Sequence, residues 1–218
     1  MFIFQPERYL LRQQIQKLSY YVRGIVLDIG AGRFDRYSDL FSADHYVRLE
    51  LESGPGIQLV GSAEAIPCED ATVDSVVCTQ VLEHISHPER AIREIARVLR
   101  PGGACLMTVP QLAELHEEPH DFFRFTKYGL RQLFTDVGME LIHEEQRGGY
   151  FVSLVHMGVR YLTDRWHLYN HRLLGRVASR AFHVAFTIAN WLDGHDRSNA
   201  GRRTTIGWAV VYKKPSTP

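Results

Sequence analysis

The sequence predicts an α/β fold: a doubly wound, mostly parallel seven-stranded sheet, Rossmann-like, with a helical insert before the last strand. Three observations carry this. Short apolar runs rich in β-branched residues alternate with amphipathic stretches of helical period. The first run, "GIVLDIGAG" (24–32), ends in glycines, as a buried strand entering a tight turn does. Residues 150–203 do not fit the alternation, which sets an insert before the last strand.

The elements follow in order. Residues 6–23 read as a helix, with Pro6 in the first turn and Leu11, Ile15, Leu18 and Val22 at helical spacing. After the strand at 24–32, "HYVRLEL" (45–51), "IQLVGS" (57–62) and "VDSVVCT" (73–79) supply strands two to four. "SHPERAIREIARVLRPGG" (86–103) reads as a helix. Ser86 and Glu89 make a capping-box pattern, Ile92, Ile95 and Leu99 a stripe, and Pro101-Gly102-Gly103 a stop. "ACLMTVP" (104–110) is a fifth strand and "KYGLRQLFTDVG" (127–138) a helix closed by Gly138. "MELIHEEQ" (139–146) and "TTIGWAVVYKK" (204–214) are the last strands. The expected organisation is one domain over 1–218. It has an N-terminal helix (1–23), a cofactor-binding core (24–149), a mainly helical insert (150–203) and a final strand (204–214). Ligands of such sheets sit at the carboxyl ends of the strands, where strand order reverses.

Composition narrows the function classes. The 218 residues are 45% hydrophobic, enough for a sizeable core. The 25 basic and 25 acidic side chains cancel, so global charge does not favour a nucleic-acid partner. Cys68, Cys78 and Cys105 form no Cys-x-x-Cys pair, which fits a reducing compartment. The opening "MFIFQPERYLLRQQ" lacks the longer apolar centre of a secretory signal. "AFHVAFTIANWL" (181–192) falls short of the roughly 20 apolar residues that span a bilayer. A cytoplasmic protein is expected, with peripheral membrane contact left open.

The first loop points to a nucleoside-bearing cofactor. Asp28, Gly30 and Gly32 stand at the end of strand one, and Glu50 ends strand two, where a carboxylate typically accepts from a ribose diol. The plain alternative is a tight turn beside an exposed glutamate. In "GAGRFD", Asp35 takes the place of the third glycine of a dinucleotide loop and would repel a pyrophosphate. A cofactor without phosphates therefore fits better than NAD or FAD.

With "VLDIGAG" and Glu50, the stretches "GSAEAIP", "VDSVVCTQVLEHISHPERAIREIARVLRPGGACLMTVP" and "HEEPHDFFRFTKYGLRQLFTDVGMEL" resemble the class I S-adenosylmethionine-dependent methyltransferases, specifically the type 11 methyltransferase-domain group. The likeness runs over about 24–146 and the final strand. Phe34 stands where many relatives carry a glycine, and Ser62 where many carry an aspartate. The resemblance implies S-adenosyl-L-methionine as cofactor. Asp28 and the backbone of Gly30, Ala31 and Gly32 would cradle its methionine moiety, and Glu50 its ribose. Leu51 would meet the adenine face, Ala63 and Glu64 its edge, and Thr79, Gln80 and Val81 the sulfonium. Glu64 reads equally well as a helix-start carboxylate, Gln80 as an exposed loop amide, and His84 as a structural support.

"HEEPH" (116–120) matches the letters of a zinc protease motif, but that motif needs a continuous helix to put both imidazoles on one side. Pro119 lies between the histidines and disfavours one. No metal is expected. Instead His120 and His116 are candidate bases or acceptor-orienting groups, with His120 preferred. Asp121 and Arg124 are candidate substrate-binding residues, the arginine as a clamp for an anionic acceptor. The plain reading is an Asp121–Arg124 pair tying down a polar loop.

In the insert, residues 171–192 carry an apolar helical stripe with Arg172, Arg176, Arg180 and His183 along another side. Such a helix suits an anionic membrane surface, a lid, a homodimer contact through 150–203, or packing on its own domain. "WLDGHDRSNAGRR" (191–203) reads as an exposed loop. The expected activity is methyl transfer to a small-molecule, saccharide or lipid-linked acceptor. The alternatives are a non-catalytic cofactor-binding or scaffold protein on the same fold and, third, an NAD-dependent oxidoreductase.

Overall fold

A computed structural model describes residues 3–216, which form two compact units. A sheet unit takes in residues 15–110, 115–145 and 208–216, and an insert unit residues 3–14, 111–114 and 146–207.

The sheet has seven strands: β1 (Arg23–Ile29), β2 (Ser42–Glu50), β3 (Leu59–Val60), β4 (Val73–Thr79), β5 (Leu99–Pro110), β6 (Glu140–Arg147) and β7 (Gly207–Lys213). Their order is β3-β2-β1-β4-β5-β7-β6, and the pairs β1–β2, β1–β4, β2–β3 and β4–β5 are parallel. Order reverses between β1 and β4, so a crevice opens beyond their carboxyl ends. Leu27, Val76, Cys105 and Met107 from the strands pack with Ile92, Ile95 and Val98 of α2 (Pro88–Val98). Burying each large aliphatic side chain contributes about 1.5–3 kcal/mol. Phe134 of α3 (Lys127–Thr135) stacks on Tyr212 at 3.9 Å between ring centres.

Local chemistry revises several expectations. Helix α1 (Pro6–Leu18) gives way to a single 3-10 turn at Ser19–Tyr21, so the first helix is shorter than 6–23. The helix expected over 86–103 ends at Val98, and β5 already starts at Leu99. Pro101 and Gly102 therefore bend a strand and do not stop a helix; Gly102, at φ +81°, donates its N–H to the Lys214 carbonyl at 2.9 Å. The capping box is also absent. His87 is the N-cap and makes no side-chain cap, while the Ser86 hydroxyl sits 3.4 Å from Glu64. The third strand is only two residues long. Among the described residues, no α-helix joins β1 to β2; the connection holds one 3-10 turn, Ser38–Leu40.

The insert unit is built on α4 (Tyr150–Arg165) and α5 (Arg172–His195). Phe4, Val152, Val159, Leu168, Phe182, Phe186 and Ile206 form its core. The N-terminal segment belongs to this core: the Phe4 N–H donates to Ser179 Oγ at 2.9 Å, and its ring lies 5.3 Å from that of Phe186. Asp193 of α5 caps α4, accepting from the N–H groups of Gly149 (2.8 Å), Phe151 (2.9 Å) and Val152 (3.0 Å). The helix expected over 171–192 thus runs on to His195, because Asp193 is held by a neighbouring helix start and is not a loop residue. Among the described residues, no helix is long and apolar enough to cross a membrane.

Candidate active site

A cleft of about 230 Å³ lies at the switch point of the sheet unit. Ile29 and Gly30 from β1, Leu49, Glu50 and Leu51 from β2, and Gly61, Ser62, Ala63 and Glu64 after β3 line one side. Val81, His84, Ile85 and Ser86 after β4 line the other, with His120 and Phe122 from the loop after β5. No lysine or arginine is among these residues.

Backbone geometry keeps the cleft open. Gly30 has φ +67°, and a Cβ there would lie 2.3 Å from Val81 Cγ2, so only glycine fits. Gly32 has φ +70° and donates its N–H to Glu50 Oε1 at 2.6 Å, while the Leu51 N–H reaches Glu50 Oε2 at 3.1 Å. Each carboxylate oxygen still has a second lone pair for a ligand hydroxyl. In place of a helix start, an arginine holds this loop. Arg48, buried in β2, donates from Nη2 to the Gly32 carbonyl at 2.7 Å and from Nη1 to that of Gly56 at 3.3 Å. The sequence reading missed Arg48; an arginine inside the apolar run "HYVRLEL" was its only signal.

Of the expected cofactor residues, Gly30, Glu50, Leu51, Ala63, Glu64 and Val81 line the cleft. Asp28, Ala31, Gly32, Thr79 and Gln80 do not. Asp28 is buried, and its Oδ2 accepts from the Tyr46 hydroxyl at 2.9 Å. Burial pushes its pKa up to about 7, against the opposing effects of Tyr46 and Arg48. Gln80, at φ +55°, turns its side chain to Thr108 Oγ1 at 3.2 Å, so it supports the turn from beneath. Glu64 receives the Ser86 hydroxyl and faces His87 Nδ1 at 3.4 Å. Ile29, Leu49, Ile85 and Phe122 were not foreseen, because apolar residues beside a cleft look in sequence like any others of the core.

The two candidate bases part company. Residues 116–120 form a turn, with Glu117 at φ +54° and the His120 N–H bonded to the Glu117 carbonyl at 3.0 Å. His120 lines the cleft and His116 does not. His116 belongs to a group with Asp121 and Arg124. The guanidinium binds Asp121 through Nη1 (2.6 Å) and Nη2 (2.7 Å), and His116 Nδ1 is 3.4 Å from the same carboxylate. Arg124 holds Asp121 well below the usual carboxylate range. Neither Asp121 nor Arg124 lines this cleft; they pair with each other and fasten the loop. That loop is sewn to the turn after β4, since the N–H groups of Phe122 and Phe123 donate to the Glu83 carbonyl at 2.9 and 3.2 Å. His84, expected to be structural, is both: Nδ1 is 2.7 Å from the His120 carbonyl, and the ring lines the cleft.

Comparison with known proteins agrees with this geometry. Residues 27–107 match the family described as a methyltransferase domain. An uncharacterized methyltransferase of Mycobacterium bovis is 39% identical over 89 residues, 36% of this chain and 36% of that protein. The ubiquinone biosynthesis O-methyltransferase of Cupriavidus pinatubonensis is 31% identical over 158 residues, 64% of this chain and 58% of that protein. The [4+2]-cyclase SpnF has a similar fold, with a TM-score of 0.62 at 18% identity over 94% of this chain and 80% of that one. The matched stretch thus spans about a third of the first curated relatives. The seven-stranded, mostly parallel sheet matches the Rossmann-like fold of these neighbours. Residues 27–107 thus resemble a methyltransferase domain, and the fold is one shared with solved methyltransferases.

Proposed function

We propose that the protein transfers a methyl group from S-adenosyl-L-methionine to a small-molecule, saccharide or lipid-linked acceptor. The observation that carries this is the cleft itself: apolar walls, a carboxylate with spare lone pairs, and no cationic side chain to receive a phosphate. That suits an adenosine compound without a pyrophosphate. Glu50 would hold the ribose diol, Leu51 the adenine face, and Ala63 and Glu64 its edge.

The bound cofactor supplies an electrophilic methyl group on a sulfonium. Positive charge disperses as methyl leaves, so no residue has to neutralise a growing charge. The chain's tasks are alignment and, for a hydroxyl or amine acceptor, removal of a proton. His120 is the candidate base, held at the cleft wall through its backbone bonds to Glu117 and His84. His116 acts on the loop that presents it.

A second reading has its own support. Helix α5 exposes Leu173, Val177, Val184, Ile188 and Trp191, an apolar face suited to an interaction surface on a non-catalytic scaffold. Calorimetry with S-adenosylmethionine and S-adenosylhomocysteine, followed by a lysate screen with methyl-labelled cofactor, separates the two. Binding with label transfer is expected. Binding without transfer to any lysate fraction favours the scaffold, and absence of binding overturns both.

A further inference from the structure

The fold brings together three side chains of metal-binding type from two separate loops. Glu83 and His84, in the 3-10 turn after β4, meet His116 of the loop after β5. One ligand atom from each lies within 4.8 Å of the others, the one such group among the described residues. We propose that Glu83, His84 and His116 bind a first-row divalent cation, zinc being the natural probe, beside the cofactor cleft.

Donor chemistry and orientation support the site. Two imidazoles and a carboxylate are the borderline N/O set that takes zinc and its neighbours, leaving a fourth tetrahedral position open. His84 Nδ1 lies 2.7 Å from the His120 carbonyl oxygen, which can only accept. Nδ1 therefore carries the proton, and the Nε2 lone pair, 4.0 Å from Glu83 Oε1, is set to coordinate. His116 Nδ1 lies 3.4 Å from the Asp121 carboxylate, which can only accept, so with the proton on Nδ1 this ring would coordinate through Nε2. Such outer contacts fix ring orientation at metal sites. The two imidazoles meet edge to face at 4.8 Å. The Arg124 guanidinium is paired with Asp121 through two N–H···O bonds of 2.6 and 2.7 Å.

Tetrahedral zinc with bonds of about 2.0–2.1 Å needs donors about 3.3 Å apart, so side-chain rotations would draw the three atoms inward on binding. The carboxylate of Glu83 is fully buried and His84 and His116 are partly exposed, which leaves the cation one side open. His84 also lines the cleft, so a ligand oxygen there could occupy the fourth position.

The test is a zinc titration of the full chain after chelator dialysis, followed by calorimetry and by the visible spectrum of a cobalt(II) substitute. One equivalent is expected, with a cobalt spectrum of tetrahedral form. His116→Ala and His84→Ala should each weaken binding at least tenfold, while His120→Ala, which keeps the backbone carbonyl, should leave it unchanged. Circular dichroism checks the fold, and His116→Ala alone decides if His84→Ala does not fold. No stoichiometric binding, or binding indifferent to His116→Ala, overturns the proposal; loss on His120→Ala instead assigns the metal to the "HEEPH" pair. Cofactor binding is measured separately, so failure here leaves the methyltransferase reading intact.

Discussion

Glu50 stands where the first loop meets the cleft. It organises the first loop by accepting from Gly32 and Leu51, and its remaining lone pairs face the cleft. Hydrogen bonds to a charged group are worth about 1.5–3 kcal/mol. Glu50→Ala should therefore lower cofactor affinity roughly ten- to a hundredfold by calorimetry, with Glu50→Gln between it and the parent. An unchanged affinity would remove the ribose contact. Asp28 makes a different prediction. Its pKa is raised to about 7 in the folded chain, against an ordinary value near 4, by burial that Tyr46 and Arg48 only partly offset, with Asp35 and Glu50 adding to the rise. The folded state then binds more protons than the unfolded one between those values. Stability from this group is full below about pH 4 and declines as pH rises to about 7, by up to about 4 kcal/mol. Asp28→Asn keeps an acceptor for Tyr46 and should flatten that decline in urea unfolding curves taken from pH 4 to 8. A parallel pH profile in both proteins would sink the assignment. The carboxylates were visible in sequence, but not their different surroundings: both end up beside the same loop, Asp28 buried and Glu50 lining the cleft.

Elements were legible where the pattern was long and chemically plain. "VDSVVCT" is β4 residue for residue, and the apolar stripe of α2 was recognised. Boundaries failed where a long-range partner outbid local signals. The Pro101-Gly102 stop lies inside β5 because Leu99 pairs with Val73 and Gly102 with the end of β7. Ser86 looked like a cap and is instead turned to Glu64 across the cleft rim. Asp193 is the clearest case. It read as loop, yet from α5 it satisfies three N–H groups at the start of α4, a terminus with no side-chain cap of its own. Asp193→Ala should cost about 2–3 kcal/mol, since the bonds are to a charged acceptor and are not additive. Amide hydrogen exchange should accelerate first at residues 149–152. Protection there equal to the parent's would mean that α4 does not depend on this cap.

At the scale of the whole molecule, opposite charges balance, so any attraction to a surface has to be local. Helix α5 is where such an attraction would lie. It buries Phe182, Phe186 and Ala189 on one side and exposes Leu173 (77%), Val177 (65%), Val184 (60%), Ile188 (55%) and Trp191 (60%) on the opposite side. Arg172, Arg176 and Arg180 flank that outer stripe, and no acidic residue falls between 172 and 192. Basic residues near an anionic bilayer contribute about 1 kcal/mol each, and tryptophan favours the headgroup level. The full chain should co-sediment with phosphatidylglycerol vesicles, less with phosphatidylcholine ones, and should dissociate as salt is raised. Ile188→Asp places a charge at the centre of the stripe and should abolish that binding without changing affinity for S-adenosylhomocysteine. If vesicles do not bind and sedimentation shows a dimer that Ile188→Asp dissociates, the stripe is a contact between two copies of this chain, and the acceptor need not be a lipid.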